Sequence, residues 1–179
     1  MEPRIYMETP RLVLRDWTDT DNAPFMALNN DETVMEFFPS ILPTAETMAM
    51  IQRLKAHFDQ YGYGFFAIER KDNGRFIGFA GLSHPGFKAY FTPCVEIGWR
   101  LSRENWNLGF ATEAATACLN YGFEILGMDE IHSFTSVHNA RSENVMKKIG
   151  MFKQGYFEHP SIEGGHFLKK HVLYRITRS

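Results

Sequence analysis

Cysteine, long apolar runs and an excess of either charge are all scarce in this chain, and each shortage excludes a class of protein. The two cysteines, Cys94 and Cys118, stand 24 positions apart, a spacing that matches no zinc motif. The opening MEPRIYMETPRLVL carries early acids and no apolar h-region, so it does not read as a signal peptide. A chain of this kind is expected in a reducing cytoplasm, without disulfides. No run reaches the roughly 18 apolar residues of a membrane span. Nineteen basic and 21 acidic residues are interspersed, for a formal net charge of -2, and none of them forms the basic stripe expected of a nucleic-acid partner. Neither GxxxxGK[ST] nor GxGxxG occurs, which excludes P-loop phosphate chemistry and the dinucleotide fingerprint. The histidines at 132, 138, 159, 166 and 171 form no HExxH or other metal pattern, so each reads as structural and no metal is expected.

What is present suits a folded domain. The chain has 179 residues, 44% apolar and 15% aromatic, with 16 Phe, enough to bury a core. No repeat, low-complexity tract or Gly/Ser linker divides it, so residues 1–179 read as one domain. Arg11 to Trp17 alternates with the period of a half-buried strand. The Thr18–Asn22 cluster suits the cap of a helix to about Asn30. Pro43-Thr44 opens a second helix, with Met48, Ile51, Leu54 and Phe58 at helical spacing and Gly62 at its end. Gly64–Glu69 and Phe76–Ser83 read as strands joined by the Asp72-Asn73-Gly74 turn. Cys94–Leu101 is another strand, and Gly109–Leu126 a helix with a small-residue face. Glu130–Val137 is a strand, and Asn139 caps a short helix that ends at Lys147-Lys148-Ile149-Gly150. Met151–His159 and His166–Thr177 complete seven strands. Their order with the helices predicts a mixed α/β sheet.

One stretch suggests chemistry. The strand Glu96–Leu101 runs through a short turn into a helix that begins Gly109-Phe110-Ala111-Thr112. Small residues at a helix start expose free N–H groups at the positive end of the helix dipole, a site suited to phosphate. Taken alone, the feature reads equally well as close packing.

The span Cys94–Phe152 resembles the GNAT acetyltransferase superfamily, and its Rim-type branch of ribosomal-protein N-acetyltransferases in particular. The resemblance rests on Glu96-Ile97-Gly98-Trp99-Arg100-Leu101, on Trp106-Asn107-Leu108-Gly109-Phe110-Ala111-Thr112-Glu113-Ala114, and on Asn139, Ser142, Val145, Lys148 and Gly150-Met151-Phe152. Thr9-Pro10-Arg11-Leu12-Val13-Leu14-Arg15 is similar to the branch's first strand. Two positions depart from the pattern. Asn107 replaces a frequent Gly, where Asn still suits a positive φ, and Lys169-Lys170-His171 replaces a frequent acid.

The resemblance implies an α/β (α+β) fold with a mostly antiparallel sheet of about seven strands. It also implies an acetyl-CoA-dependent N-acetyltransferase that acts by direct transfer in a ternary complex, neither cysteine being placed as a nucleophile. Backbone N–H groups from Leu108 to Thr112, Gly109, Phe110 and Ala111 included, would hold the CoA pyrophosphate. Trp99 to Leu101 would splay from Ser133–Val137 and pair with pantetheine. Asn139 would bond the pantetheine arm, and Lys148 is either near the adenosine phosphates or a solvated helix-end lysine. Glu96 is the candidate general base, or else a substrate-binding group, and needs burial to raise its pKa. Ser142 is the candidate donor to the leaving thiolate, or else a helix-capping serine, and Tyr156 is a second acid candidate. The oxyanion donor is a backbone N–H near Trp99 or Arg100. His166, His171, Phe37-Phe38-Pro39 and Tyr61 to Gly64 lie where such proteins build an acceptor pocket. The acceptor is an amine, either a small molecule or a protein N-terminus, and a homodimer stays open. Two alternatives remain: a catalytically weak CoA-binding regulatory module of the same fold, and an unrelated α/β protein.

Overall fold

The computed structural model describes residues 2–178. One eight-stranded sheet runs through it in the order β1-β2-β3-β4-β5-β6-β8-β7. The strands are β1 (Ile5–Glu8), β2 (Leu12–Arg15), β3 (Phe65–Arg70), β4 (Phe76–Ser83), β5 (Glu96–Leu101), β6 (Glu130–Ser136), β7 (Phe152–Glu158) and β8 (Lys170–Thr177). The helices are α1 (Asn22–Asn29), α2 (Thr44–Tyr61), α3 (Phe110–Asn120) and α4 (Ala140–Lys148). Every neighbouring pair is antiparallel except β5 and β6.

The sheet has one strand more than the seven expected. β1 is only four residues long and has no buried position, so it carries no alternating pattern for sequence reading to find. Pairing makes it a strand: Ile5 faces Arg15 and Glu8 faces Val13 across the β1–β2 ladder. β8 begins at Lys170 rather than His166. The preceding segment turns on itself instead, with the His166 amide donating to Glu163 and the Lys169 amide to His166. The long helix ends as expected near Leu126, but its last turn, Tyr121–Ile125, is a π-helix closed by the Leu126 amide on the Tyr121 carbonyl. The small-residue face of this helix is needed there. A Cβ on Gly122 would stand 2.8 Å from Ile131 Cδ1 and 3.0 Å from Leu82 Cδ1.

Alternation along the strands divides the apolar side chains between two cores. α3 and α4 cover one face, where Ile97 and Leu101 of β5 pack with Ala114, Cys118, Ile131 and Met146. α1 and α2 cover the other, with Trp17, Phe25, Leu28, Ile51 and Phe79. Glu96, Gly98 and Arg100 fall on this second face. The turn before α1 is tied down by Asp21, whose carboxylate takes both Nη atoms of Arg15 at 2.8 and 2.9 Å and the Thr18 amide at 2.8 Å.

Candidate active site

The site starts from a gap in the middle of the sheet. β5 is paired with β4 along its whole length, from Ser83 opposite Glu96 to Gly78 opposite Leu101. β6 is paired just as fully with β8. Between β5 and β6 the one ladder position is Glu96 opposite His132. The His132 amide donates to the Val95 carbonyl at 2.9 Å, and Ser133 Oγ donates to the Ile97 carbonyl at 2.9 Å. Beyond Ile97 the strands diverge, because each follows the twist of its own partner. The N–H and C=O of one strand residue point to the same side. Since the Val95 and Ile97 carbonyls face β6, the polar groups of Trp99 and Leu101 face the gap. The Leu101 carbonyl at its wide end is taken by Trp106 Nε1 at 2.8 Å. An open strand edge of this kind can accept an extended ligand as an added strand.

The turn into α3 lies at the wide end. Asn107 adopts φ 59° and Gly109 φ 83°, so Asn107 takes the left-handed conformation expected of it. Among the described residues no hydrogen bond uses the amides of Leu108 to Thr112, and they could hold an anionic group. Arg11 fixes the turn from behind. Its Nη1 donates to the Leu108 carbonyl at 2.8 Å, its Nε to Glu113 Oε2 at 2.6 Å, and its guanidinium stacks 4.4 Å from the Phe110 ring. Thr9 Oγ1 adds a bond to Glu113 at 2.6 Å. Burial raises the Glu113 pKa, but these donors more than offset it and hold the carboxyl below its ordinary value. The Thr9-Pro10-Arg11 and Thr112-Glu113 blocks are thus parts of one loop support. Replacing Arg11 by Ala is expected to raise the KM for acetyl-CoA about tenfold or more while changing kcat less. Steady-state kinetics check this; a fall in kcat at constant KM is the contrary result. A groove of about 790 Å³ continues from Gly109 and Thr112 past Thr116, and Lys148 lines it.

Glu96 stands at the closed end of the gap. Burial pushes its pKa up to about 7, and no side chain donates a hydrogen bond to its carboxylate among the described residues. A carboxyl tuned this way can exchange a proton near neutral pH. Its neighbour His132 was expected to be merely structural. The structure places it opposite Glu96, with Nδ1 buried and unpartnered and its pKa lowered by burial. Phe91 stacks on its ring at 6.0 Å. Further along this face, Phe87, Phe134 and Phe157 surround His159 and His171, whose rings lie 5.0 Å apart. Burial lowers both histidines, His171 to about 4. His171 therefore reaches an aromatic wall near the gap, whereas His166 stacks on Phe167 instead.

The other sequence candidates divide. The Asn139 side chain is already engaged, accepting from the Ser142 amide at 3.2 Å and donating to Thr135 Oγ1 at 3.0 Å. Ser142 lies in the first turn of α4, its Oγ without a partner among the described residues. Tyr156 lies on edge strand β7, 51% exposed, where its hydroxyl accepts from Lys153 Nζ at 2.6 Å. β8 separates that strand from β6, so the structure does not bring Tyr156 to the gap. Burial raises both thiols, Cys94 to about 11, leaving neither a ready nucleophile. Sequence reading missed two cations. Arg100 lies beneath Phe38, and Arg141 stacks 4.3 Å over Trp106 while pairing with Glu36 at 3.0 Å. Among the described residues no group of three His, Cys, Asp or Glu gathers as a metal site, and no helix is long and apolar enough to cross a membrane.

Residues 11–152 match the family described as the acetyltransferase (GNAT) domain. The chain is 30% identical over 161 residues to the uncharacterized N-acetyltransferase YoaA of Bacillus subtilis (strain 168), covering 89% of each. A GNAT-family acetyltransferase from Bacillus anthracis superposes with a TM-score of 0.78 at 26% identity, over 97% of both chains. The ribosomal-protein-S5-alanine acetyltransferase of Vibrio fischeri shares the fold, with a TM-score of 0.75 at 16% identity over 96% of this chain and 95% of that one. The open strand edge, the free helix-start amides and these matches agree: the chain belongs to the GNAT acetyltransferase family, as an acetyl-CoA-dependent acyltransferase with Rim-like structural neighbours.

Proposed function

We propose that this acetyltransferase moves the acetyl group directly from acetyl-CoA to a primary amine, with Glu96 as the general base. The observation that supports this reading best is the arrangement of the gap: a half-buried carboxyl without a side-chain donor at its closed end and unengaged amides at its wide end. Pantetheine lies along the Trp99–Leu101 edge, the pyrophosphate rests on the amides of Leu108 to Thr112, and Lys148 is near the adenosine phosphates. Asn139 acts by shaping the start of α4, its remaining N–H turned to the pantetheine arm.

Glu96 takes one proton from the acceptor ammonium, directly or through a water. The freed amine forms a C–N bond to the thioester carbonyl carbon, and the negative charge on oxygen is met by the Trp99 N–H. Collapse of that intermediate breaks the C–S bond; Ser142 Oγ–H protonates the departing thiolate and regains a proton, through water, from the acylated nitrogen, which sheds its second one, while Glu96 returns its proton to solvent. The products are the N-acetylated acceptor and CoA. A small-molecule amine and a protein N-terminus both fit this chemistry.

The test is thiol release from acetyl-CoA against a panel of amines, with acetylated product identified by mass. Amine-dependent release with Ser142→Ala slowed about tenfold or more supports the reading. Release without an N-acetyl product, or an isolated acetyl-cysteine enzyme, overturns direct transfer. A wild-type rate for Ser142→Ala removes Ser142 from the scheme.

A further inference from the structure

Arg100 is a half-buried cation that the transfer scheme leaves without a task. It shares with Glu96 the face of β5 covered by α1 and α2, and Gly98 stands between them. The Arg100 guanidinium is sandwiched between rings, 4.1 Å from the centre of Phe38 and 5.4 Å from that of Phe79. Nη1 donates to Asn29 Oδ1 at 2.6 Å. Nε is buried without a hydrogen-bond partner, and no carboxylate lies within ion-pair distance among the described residues.

Two other arginines in the same protein show what is missing. Arg15 sets its Nε on Glu69 at 2.8 Å and its Nη atoms on Asp21. Arg70 sets its Nε on Asp72 at 3.0 Å. Asn29, the single partner of Arg100, is neutral and itself fully buried. A buried guanidinium N–H without a partner is costly, and it persists where an anion completes it. The free edge, Nε with Nη2, is the edge that takes a carboxylate in two parallel hydrogen bonds. Burial also pulls the Arg100 pKa down to about 10, which leaves it charged at neutral pH.

We propose that Arg100 recognises a carboxylate on the acceptor, so that the substrate is an amine that also carries a carboxylate. This rests on the reading of Glu96 as the base of acetyl transfer. The two residues are four apart, about 13 Å of strand, and the Phe65 ring covers Gly98, its Cε1 3.1 Å from where a Cβ would stand. An acceptor would lie across that ring, amine toward Glu96 and carboxylate toward Arg100. The carboxylate is either that of a free amino acid or an acidic side chain close behind a peptide N-terminus.

The test uses matched acceptors at saturating acetyl-CoA: free amino acids against their carboxamides, and dipeptide amides with Asp against the same with Asn in the second place. The acids are expected to show kcat/KM about tenfold or more above their neutral partners. Preference in the first pair alone identifies a free amino acid, and in the second alone a peptide. Arg100→Gln is expected to bring the ratio close to one by raising KM for the acids, with CoA affinity by calorimetry unchanged. Arg100→Lys is expected to keep part of the preference. Equal values for acids and neutral partners in the wild type, or a preference that survives in Arg100→Gln, overturn the proposal. Should Arg100→Gln fail to fold, the wild-type ratio and the Lys variant decide it. Should no amine be acetylated at all, the transfer reading falls. Arg100 is then judged by calorimetry on the CoA-loaded protein, where tighter binding of N-acetyl acids than of their carboxamides supports it and equal binding overturns it.

Discussion

Glu96→Gln is expected to lower kcat at neutral pH by about 10²- to 10⁴-fold while leaving the KM for acetyl-CoA little changed. The isosteric amide keeps the side chain's volume and cannot accept a proton. The pH profile separates a base from a group that only binds. With the Glu96 pKa raised to about 7 by burial, the wild-type rate should rise as pH passes through 7 and the carboxylate forms. In the variant that limb should vanish. A profile unchanged in shape and height would show that Glu96 takes no proton.

The same substitution has a consequence for stability, of opposite sign. A carboxyl whose folded pKa lies above its unfolded value of 4.5 favours the folded state fully below that value. The advantage is lost as pH rises toward 7, because the unfolded chain ionises first. At pH 8 wild-type Glu96 therefore opposes folding, by at most about 3 kcal/mol. Glu96→Gln should melt higher than wild type at pH 8 and close to it at pH 4.5, by calorimetric or circular-dichroism melts. Higher stability with lost activity is the pattern of a group held in place for chemistry.

Asp21→Ala is expected to cost about 3 to 5 kcal/mol of stability. Asp21 is 1% exposed and Arg15 is 6% exposed, so removing the carboxylate strands a guanidinium inside the protein. Two Nη bonds and the Thr18 amide bond go with it. Glu69, which meets Arg15 Nε at 2.8 Å, retains part of the compensation and sets the lower end of the range. Urea unfolding measures the loss; a midpoint within experimental error of wild type would mean that water replaces the carboxylate. Asp21 also fixes the start of α1, the helix that brings Asn29 to Arg100. A partly folded variant is expected to lose acceptor affinity before acetyl-CoA affinity.

Much of the fold could be read along the chain, where local signals were strong. Helix α2 carries Met48, Ile51, Leu54 and Phe58 at helical spacing and closes on Gly62, which takes φ 76°. The β3–β4 hairpin follows from Asn73-Gly74. Strand β1 could not be read this way, because four residues without a buried position carry no period. Strand β8 likewise begins later than the sequence suggests, because His166 to Lys169 form a turn, the Lys169 amide donating to the His166 carbonyl, before the ladder starts. Tyr156 is an acid candidate through the resemblance, since some members of the superfamily use a tyrosine, but its strand is the sheet edge.

The site divides in the same manner. The amino-acid order by itself determined the turn into α3 and the Glu-bearing strand before it, because the φ of Asn107 and Gly109 and the free amides of a helix start are properties of neighbouring residues. Only the tertiary structure decided what surrounds them. The gap between β5 and β6 arises from their pairing with β4 and β8. The raised pKa of Glu96, the place of His132 opposite it, Arg11 behind the turn and the unpaired guanidinium of Arg100 all come from residues distant in the chain. Burial and pairing are relations between segments brought together by folding, and no window of adjacent residues contains them.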